Sequence, residues 1–129
     1  MKKSLKKIMA SALAVATMAV SVVGMNANAI TQTDAYSSFT YNRYYTSANC
    51  TMDNTSGTSG RYIQSSMIIY FFDGSVAMPS NDNSANVYLN SVTCSYSGSK
   101  SISGVHFYGT LYLTSLPQGK PLSSWSTTL

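Results

Sequence analysis

The 129-residue sequence contains no glutamate, one histidine (His106), one tryptophan (Trp125), two cysteines and three prolines, and its four acidic residues are all aspartates. Each scarcity removes a class of chemistry. Asp34, Asp53, Asp73 and Asp82 are separated by 19, 20 and 9 positions. The paired carboxylates of a glycosidase, about 5–10 Å apart, would therefore have to be assembled by the fold from very few acids. No Gly-x-Ser-x-Gly turn, which strains a nucleophilic serine into reach, is present. The segment Ser80-Asn81-Asp82-Asn83-Ser84 offers oxygen ligands but one carboxylate, without the alternating acids and closing Glu of a Ca²⁺ loop, and reads as an Asx turn. Cys50 and Cys94 lack CxxC spacing and have only His106 to join them, so no zinc site is expected. The sequence thus predicts neither a metal nor another cofactor and favours a non-enzymatic protein. A small extracellular hydrolase using His106 as its base is the remaining catalytic reading.

Charge is also scarce once its placement is considered. Lys2, Lys3, Lys6 and Lys7 hold half of the eight basic residues, whereas all acids follow position 30. From residue 30 onward Arg43, Arg61, Lys100 and Lys120 balance the four aspartates. A neutral body with scattered cations lacks the clustered Lys and Arg that bind nucleic acid or anionic lipid.

The basic start is followed by a small and apolar run from Ile8 to Val23, interrupted by Ser11, Thr17 and Ser21, then Gly24 and Ala27-Asn28-Ala29. This three-part pattern is that of a bacterial signal peptide with cleavage after Ala29. The run is shorter than the about 20 apolar residues of a membrane span and is broken by hydroxyls, so no transmembrane anchor is expected in the mature form. Residues 1–29 are read as the signal peptide and 30–129 as a single secreted, extracellular domain. In an oxidising exterior Cys50 and Cys94 are expected to form a disulfide, the only pairing available. Closing a loop of about 45 residues would contribute about 4 kcal/mol in the chain-entropy account.

Residues 30–129 contain 20 serines, 12 threonines and 10 tyrosines. Ser and Asn compete with helical hydrogen bonds, and β-branched and aromatic side chains suit a pleated surface. Period-2 patterns divided by Ser, Gly, Asn and Asp predict strands near 37–46, 48–53, 61–72, 75–78, 86–96 and 102–114. In the last of these Val105, Phe107, Gly109, Leu111 and Leu113 define a core face, and His106, Tyr108, Thr110 and Tyr112 the opposite one. Around Cys94 the same parity collects Tyr88, Val92 and Tyr96 as inward residues. Met67 to Phe72 is apolar at every position, as in a central strand covered on both sides or at the heart of a sandwich, and Asp73-Gly74 predicts a hairpin into Val76 to Met78. Residues 54–60 and 79–86 read as exposed loops, and 115–129 as a loosely packed tail pinned by Trp125. The expected fold is an all-β, small antiparallel β-sandwich, with immunoglobulin-like and barrel-like topologies both open.

Function is read from the tyrosines. Tyr108 and Tyr112, flanking Thr110 and aligned with His106, lie on a face whose reverse is already apolar. Such rings stack on sugars or bury in protein interfaces at low entropic cost. The leading expectation is a binding module that contacts cell-envelope carbohydrate or a protein partner through His106, Tyr108, Thr110 and Tyr112. Separately, Tyr41-Asn42-Arg43-Tyr44-Tyr45 and the turn from Gly57 to Arg61 resemble small secreted β-sandwich bacteriocins, which implies an antimicrobial function as the alternative and assigns no residue a role.

Overall fold

The computed structural model describes residues 29–129, so the leader up to Asn28 lies outside the described residues. Nine strands and no helix occur among them: β1 Ile30–Thr33, β2 Ser37–Arg43, β3 Ser47–Asn54, β4 Ile63–Phe71, β5 Val76–Ala77, β6 Ser80–Asp82, β7 Ser91–Ser97, β8 Ile102–Leu111 and β9 Ser123–Thr128. No helix long and apolar enough to cross a membrane is found there. All strand pairs are antiparallel. One sheet, here sheet A, has the order β1-β2-β3-β7; the other, sheet B, runs β5-β4-β8-β9, with β6 also on β4. The chain crosses from A to B after β3, returns at β7, and crosses again at β8.

The two sheets share one core in a sandwich-like arrangement. Alternation assigns Phe39 and Tyr41 of β2, Cys50 and Met52 of β3, Ile63, Met67 and Ile69 of β4, and Val105, Phe107 and Leu111 of β8 to it, all fully buried or nearly so. Phe39, Tyr41 and Phe107 form a tilted aromatic stack, with successive centroids 5.6 and 5.1 Å apart. Such offset rings gain about 0.5–1.5 kcal/mol per pair beyond the area they bury. Gly109 continues the inward row of β8 where the facing sheet comes closest: a Cβ there would lie 2.5 Å from Phe39 Cδ2 and 2.9 Å from Met52 Sδ.

Strand ends follow local chemistry. Between β1 and β2, Asp34 Oδ1 accepts from the backbone N–H groups of Tyr36 and Ser37 at 2.8 and 2.9 Å, an Asx turn. The Asp73-Gly74 hairpin forms as expected, with Gly74 at φ 83°, a left-handed conformation that costs glycine little.

Several expectations are corrected. The supposed tail contains β9, whose Trp125 is buried and whose backbone pairs with β8. Its Ser-Trp-Ser-Thr alternation was too short and polar to stand out from the loop before it. The loop assigned to 79–86 contains β6 and a buried Asn83, only 1% exposed. Asn83 Oδ1 accepts from Ile63 N–H at 2.8 Å, and its amide donates to the carbonyls of Arg61 and Leu89 at 2.7 and 3.1 Å. One side chain therefore supplies the partners that a strand would otherwise give these backbone groups. Strand β1 was not anticipated at all. β7 begins at Ser91 and not at 86, so Tyr88, expected inward, sits in the preceding turn and is exposed; β8 stops at Leu111, leaving Leu113 exposed instead of in the core. Cys50 and Cys94 are register partners across β3 and β7 and are buried as expected; their sulfurs are not bonded to each other here, so the pair stands as two thiols.

Candidate ligand surface

The outward face of sheet B is where the expected residues converge. On β8, burial alternates so that Val105, Phe107, Gly109 and Leu111 point inward while His106, Tyr108 and Thr110 are half-buried on the other side. The strand register then places their neighbours. Ile68 of β4 and Thr128 of β9 flank His106, Ser66 and Ser126 flank Tyr108, and Gln64 and Ser124 flank Thr110. Tyr70 lies opposite Gly104 and beside Val76 of β5.

Three rings make a continuous stretch of this face. Tyr70 meets His106 edge-on, with centroids 5.7 Å apart at 70°, and His106 lies nearly parallel to Tyr108 at 6.4 Å and 19°. Thr128 Oγ1 and His106 Nδ1 are within hydrogen-bond distance at 3.2 Å, which orients the imidazole from the β9 side. The absence of a side chain at Gly104 leaves Tyr70 uncovered by its partner strand. Tyr112 follows the end of β8 and forms a second aromatic pair with Tyr62, 5.8 Å apart and edge-on. The Tyr112 N–H donates to the Tyr62 carbonyl at 2.9 Å, which fixes that pair. Sequence parity thus grouped His106, Tyr108 and Thr110 correctly on one face, whereas Tyr112 lies beyond the end of β8 and pairs with Tyr62 as a separate aromatic group.

The two ends of the face differ in character. Toward the β4–β5 hairpin it is apolar: Ile68, Tyr70 and Val76 continue into Phe72, which is 72% exposed. Toward the opposite end it is polar. Gln64 Nε2 donates to Ser80 Oγ at 3.2 Å, and the Tyr62 hydroxyl donates to Asp82 Oδ2 at 3.0 Å. Burial and the adjoining Asp82 push the Tyr62 phenol up to about 12, while Asp82 is held below the usual carboxylate range by hydrogen bonds from Ser84 and Tyr62. Between the two ends the face holds no Asp, Glu, Lys or Arg.

Tyr70 and Ile68 were missed because every position from Met67 to Phe72 is apolar, so periodicity could not separate the two sides. β4 is not covered on both sides: Met67, Ile69 and Phe71 are buried, and Ile68, Tyr70 and Phe72 face out. Only the pairing of Tyr70 with Val76, set by the Asp73-Gly74 turn, could have revealed this.

The outer face of sheet A is chemically unlike it. Thr31, Thr40, Thr51 and Thr93 form a row across its four strands. Their hydroxyls pair with each other, Thr31 with Thr40 at 2.9 Å and Thr51 with Thr93 at 2.8 Å. Among the described residues, no three His, Cys, Asp or Glu side chains are placed to hold a metal ion. Comparison with known protein families, curated proteins and solved structures finds no match to this chain.

Proposed function

We propose that residues 30–129 act outside the producing cell as a non-enzymatic binding module, whose sheet B outer face takes uncharged carbohydrate of the cell envelope. The observation that carries this reading is the contiguous Tyr70, His106 and Tyr108 ring surface on the outer face of sheet B, where Tyr70 is exposed and His106 and Tyr108 are half-buried. A pyranose has apolar C–H faces and a hydroxylated rim. The ring surface matches the first, and Thr110, Gln64, Ser66 and Ser126 beside it supply donors and acceptors for the second. The low charge of the face favours a neutral ligand over an anionic one. Export rests on the leader pattern of residues 1–29.

The test is a pull-down of the 30–129 protein with purified cell-wall glycan, against Tyr70→Ala and Tyr108→Ala. Both variants should retain the parent circular dichroism spectrum and melting transition and lose retention. Equal retention by the variants, or recovery of a stoichiometric protein and no glycan, would overturn the carbohydrate assignment. Killing of indicator bacteria without glycan binding would favour the antimicrobial alternative.

A further inference from the structure

Cys50 and Cys94 carry an inference independent of the ligand surface. They are the chain's only cysteines and stand directly opposite each other in the β3–β7 register. The same register is continued by Asn54 N–H to the Asn90 carbonyl at 2.8 Å and by Gly98 N–H to the Thr46 carbonyl at 3.1 Å. Hydrogen-bonded and non-hydrogen-bonded pairs alternate along an antiparallel ladder, so Cys50 and Cys94 occupy a hydrogen-bonded pair. Their Cα atoms are then about 5.5 Å apart, within the range of about 4.4–6.8 Å that a cystine spans.

Both thiols point into the core, at 0% and 2% exposure. Sheet B closes over them: Cys50 Sγ lies 3.6 Å from the Ser66 carbonyl, and Ser65 Oγ donates to the Val92 carbonyl at 3.2 Å, two residues from Cys94. A disulfide oxidant cannot reach either sulfur in the closed sandwich, since exchange requires in-line approach of a second sulfur atom. The strands differ, however. β3 lies between β2 and β7, whereas β7 is at the edge of sheet A. On its free side the Asn81 amide reaches the Thr93 carbonyl at 2.8 Å.

We propose that Cys50 and Cys94 are a cystine-forming pair oxidised before β7 docks, with Cys94 as the attacking sulfur and Cys50 as the resolving one. The Cys94 thiolate attacks an external disulfide RSSR of the glutathione type, forming Cys94–S–S–R and releasing RS⁻. Cys50, after losing its proton to solvent, attacks the Cys94 sulfur, forming the Cys50–Cys94 bond and expelling the second RS⁻. Two thiols are oxidised and one external disulfide is reduced by two electrons. The assignment of roles follows the edge position of β7. Once closed, the bond joins edge strand β7 to the interior of sheet A.

The experiment compares two orders of addition with the reduced 30–129 protein: refolding from urea in glutathione disulfide, and adding the same reagent after folding. Intact mass and alkylation count the thiols. Refolding with oxidant should give complete loss of two hydrogens and no alkylatable thiol. Oxidation after folding should be at least ~100-fold slower, as for an edge strand open about 1% of the time or less. Two alkylatable thiols after oxidative refolding, or equal rates in both orders, would overturn the proposal. Peptide mapping of early quenched wild-type samples should find the glutathione adduct on Cys94. Cys50→Ala should accumulate the same adduct, and an adduct found first on Cys50 would overturn the assigned order.

Discussion

The indole N–H of Trp125 donates to Ser37 Oγ at 2.9 Å, joining β9 of sheet B to β2 of sheet A through a buried hydrogen bond. The Ser37 hydroxyl lies 3.3 Å from Asp34 Oδ1, and Ser123 donates to Asp34 Oδ2 at 2.8 Å. The last strand is thereby fastened to the first turn of the domain. Trp125→Ala should cost about 3–5 kcal/mol, a large share of the about 5–10 kcal/mol expected for a domain of this size. Trp125→Phe, which keeps most of the ring but leaves Ser37 without its donor, should cost about 1–3 kcal/mol. Urea unfolding followed by far-ultraviolet circular dichroism measures both; a change below 0.5 kcal/mol for the alanine variant, roughly that of a plain surface substitution, would show that β9 is not integral to the fold.

The buried amide of Asn83 offers a second test. Asn83→Ala leaves the Ile63 N–H and the carbonyls of Arg61 and Leu89 without these partners. At about 1–3 kcal/mol for each buried group left unpaired, partly offset by entering water, a loss of about 2–4 kcal/mol is expected. Asn83→Asp restores the acceptor for Ile63 but neither donor, so it should rescue little. Full rescue would mean that only the bond to Ile63 matters.

The particular residues explain how far the sequence could be read. Strand β8 was legible because Val105, Phe107 and Leu111 alternate with polar or amphipathic residues, and burial on one side of a pleat imposes that alternation. The same alternation delivered His106, Tyr108 and Thr110 as a surface set. β4 was recognisable as a strand, but its faces were not, since Ile68, Tyr70 and Phe72 are apolar without being buried. β1 and β9 escaped because short edge strands of Ser, Thr and Gln resemble loops until a partner is known. Asn83 escaped for a different reason: a polar side chain that satisfies distant backbone groups leaves no periodic trace.

Gly109 marks the tightest approach between the sheets. In Gly109→Ala the new methyl group would overlap Phe39 and Met52, both fully buried. Overpacking of this kind costs about 1–3 kcal/mol. If the overlap with Phe39 is the cause, Phe39→Leu should relieve it. The double variant would then lose less stability than the sum of the single losses, by at least about 0.5 kcal/mol, the usual threshold for coupling between contacting residues. Strict additivity in denaturant melts would place the cost in the backbone of β8 instead.

Tyr62 links stability to alkaline pH. Its phenol is raised from 10.0 to about 12, first by burial and then by Asp82, so in the folded protein it keeps its proton where the unfolded chain has lost it. The unfolded state binds fewer protons between those values, and stability should therefore fall as pH rises from about 10 to about 12 while Tyr62 contributes no slope below that window. Tyr62→Phe removes the ionisable group and its hydrogen bond to Asp82 together. It should lower stability at pH 7 and flatten the alkaline decline, and the two curves should converge near pH 12. Urea midpoints measured from pH 7 to pH 12 decide the matter: parallel curves for parent and variant would assign the alkaline loss to the other tyrosines and detach Tyr62 from the ionic end of the candidate surface.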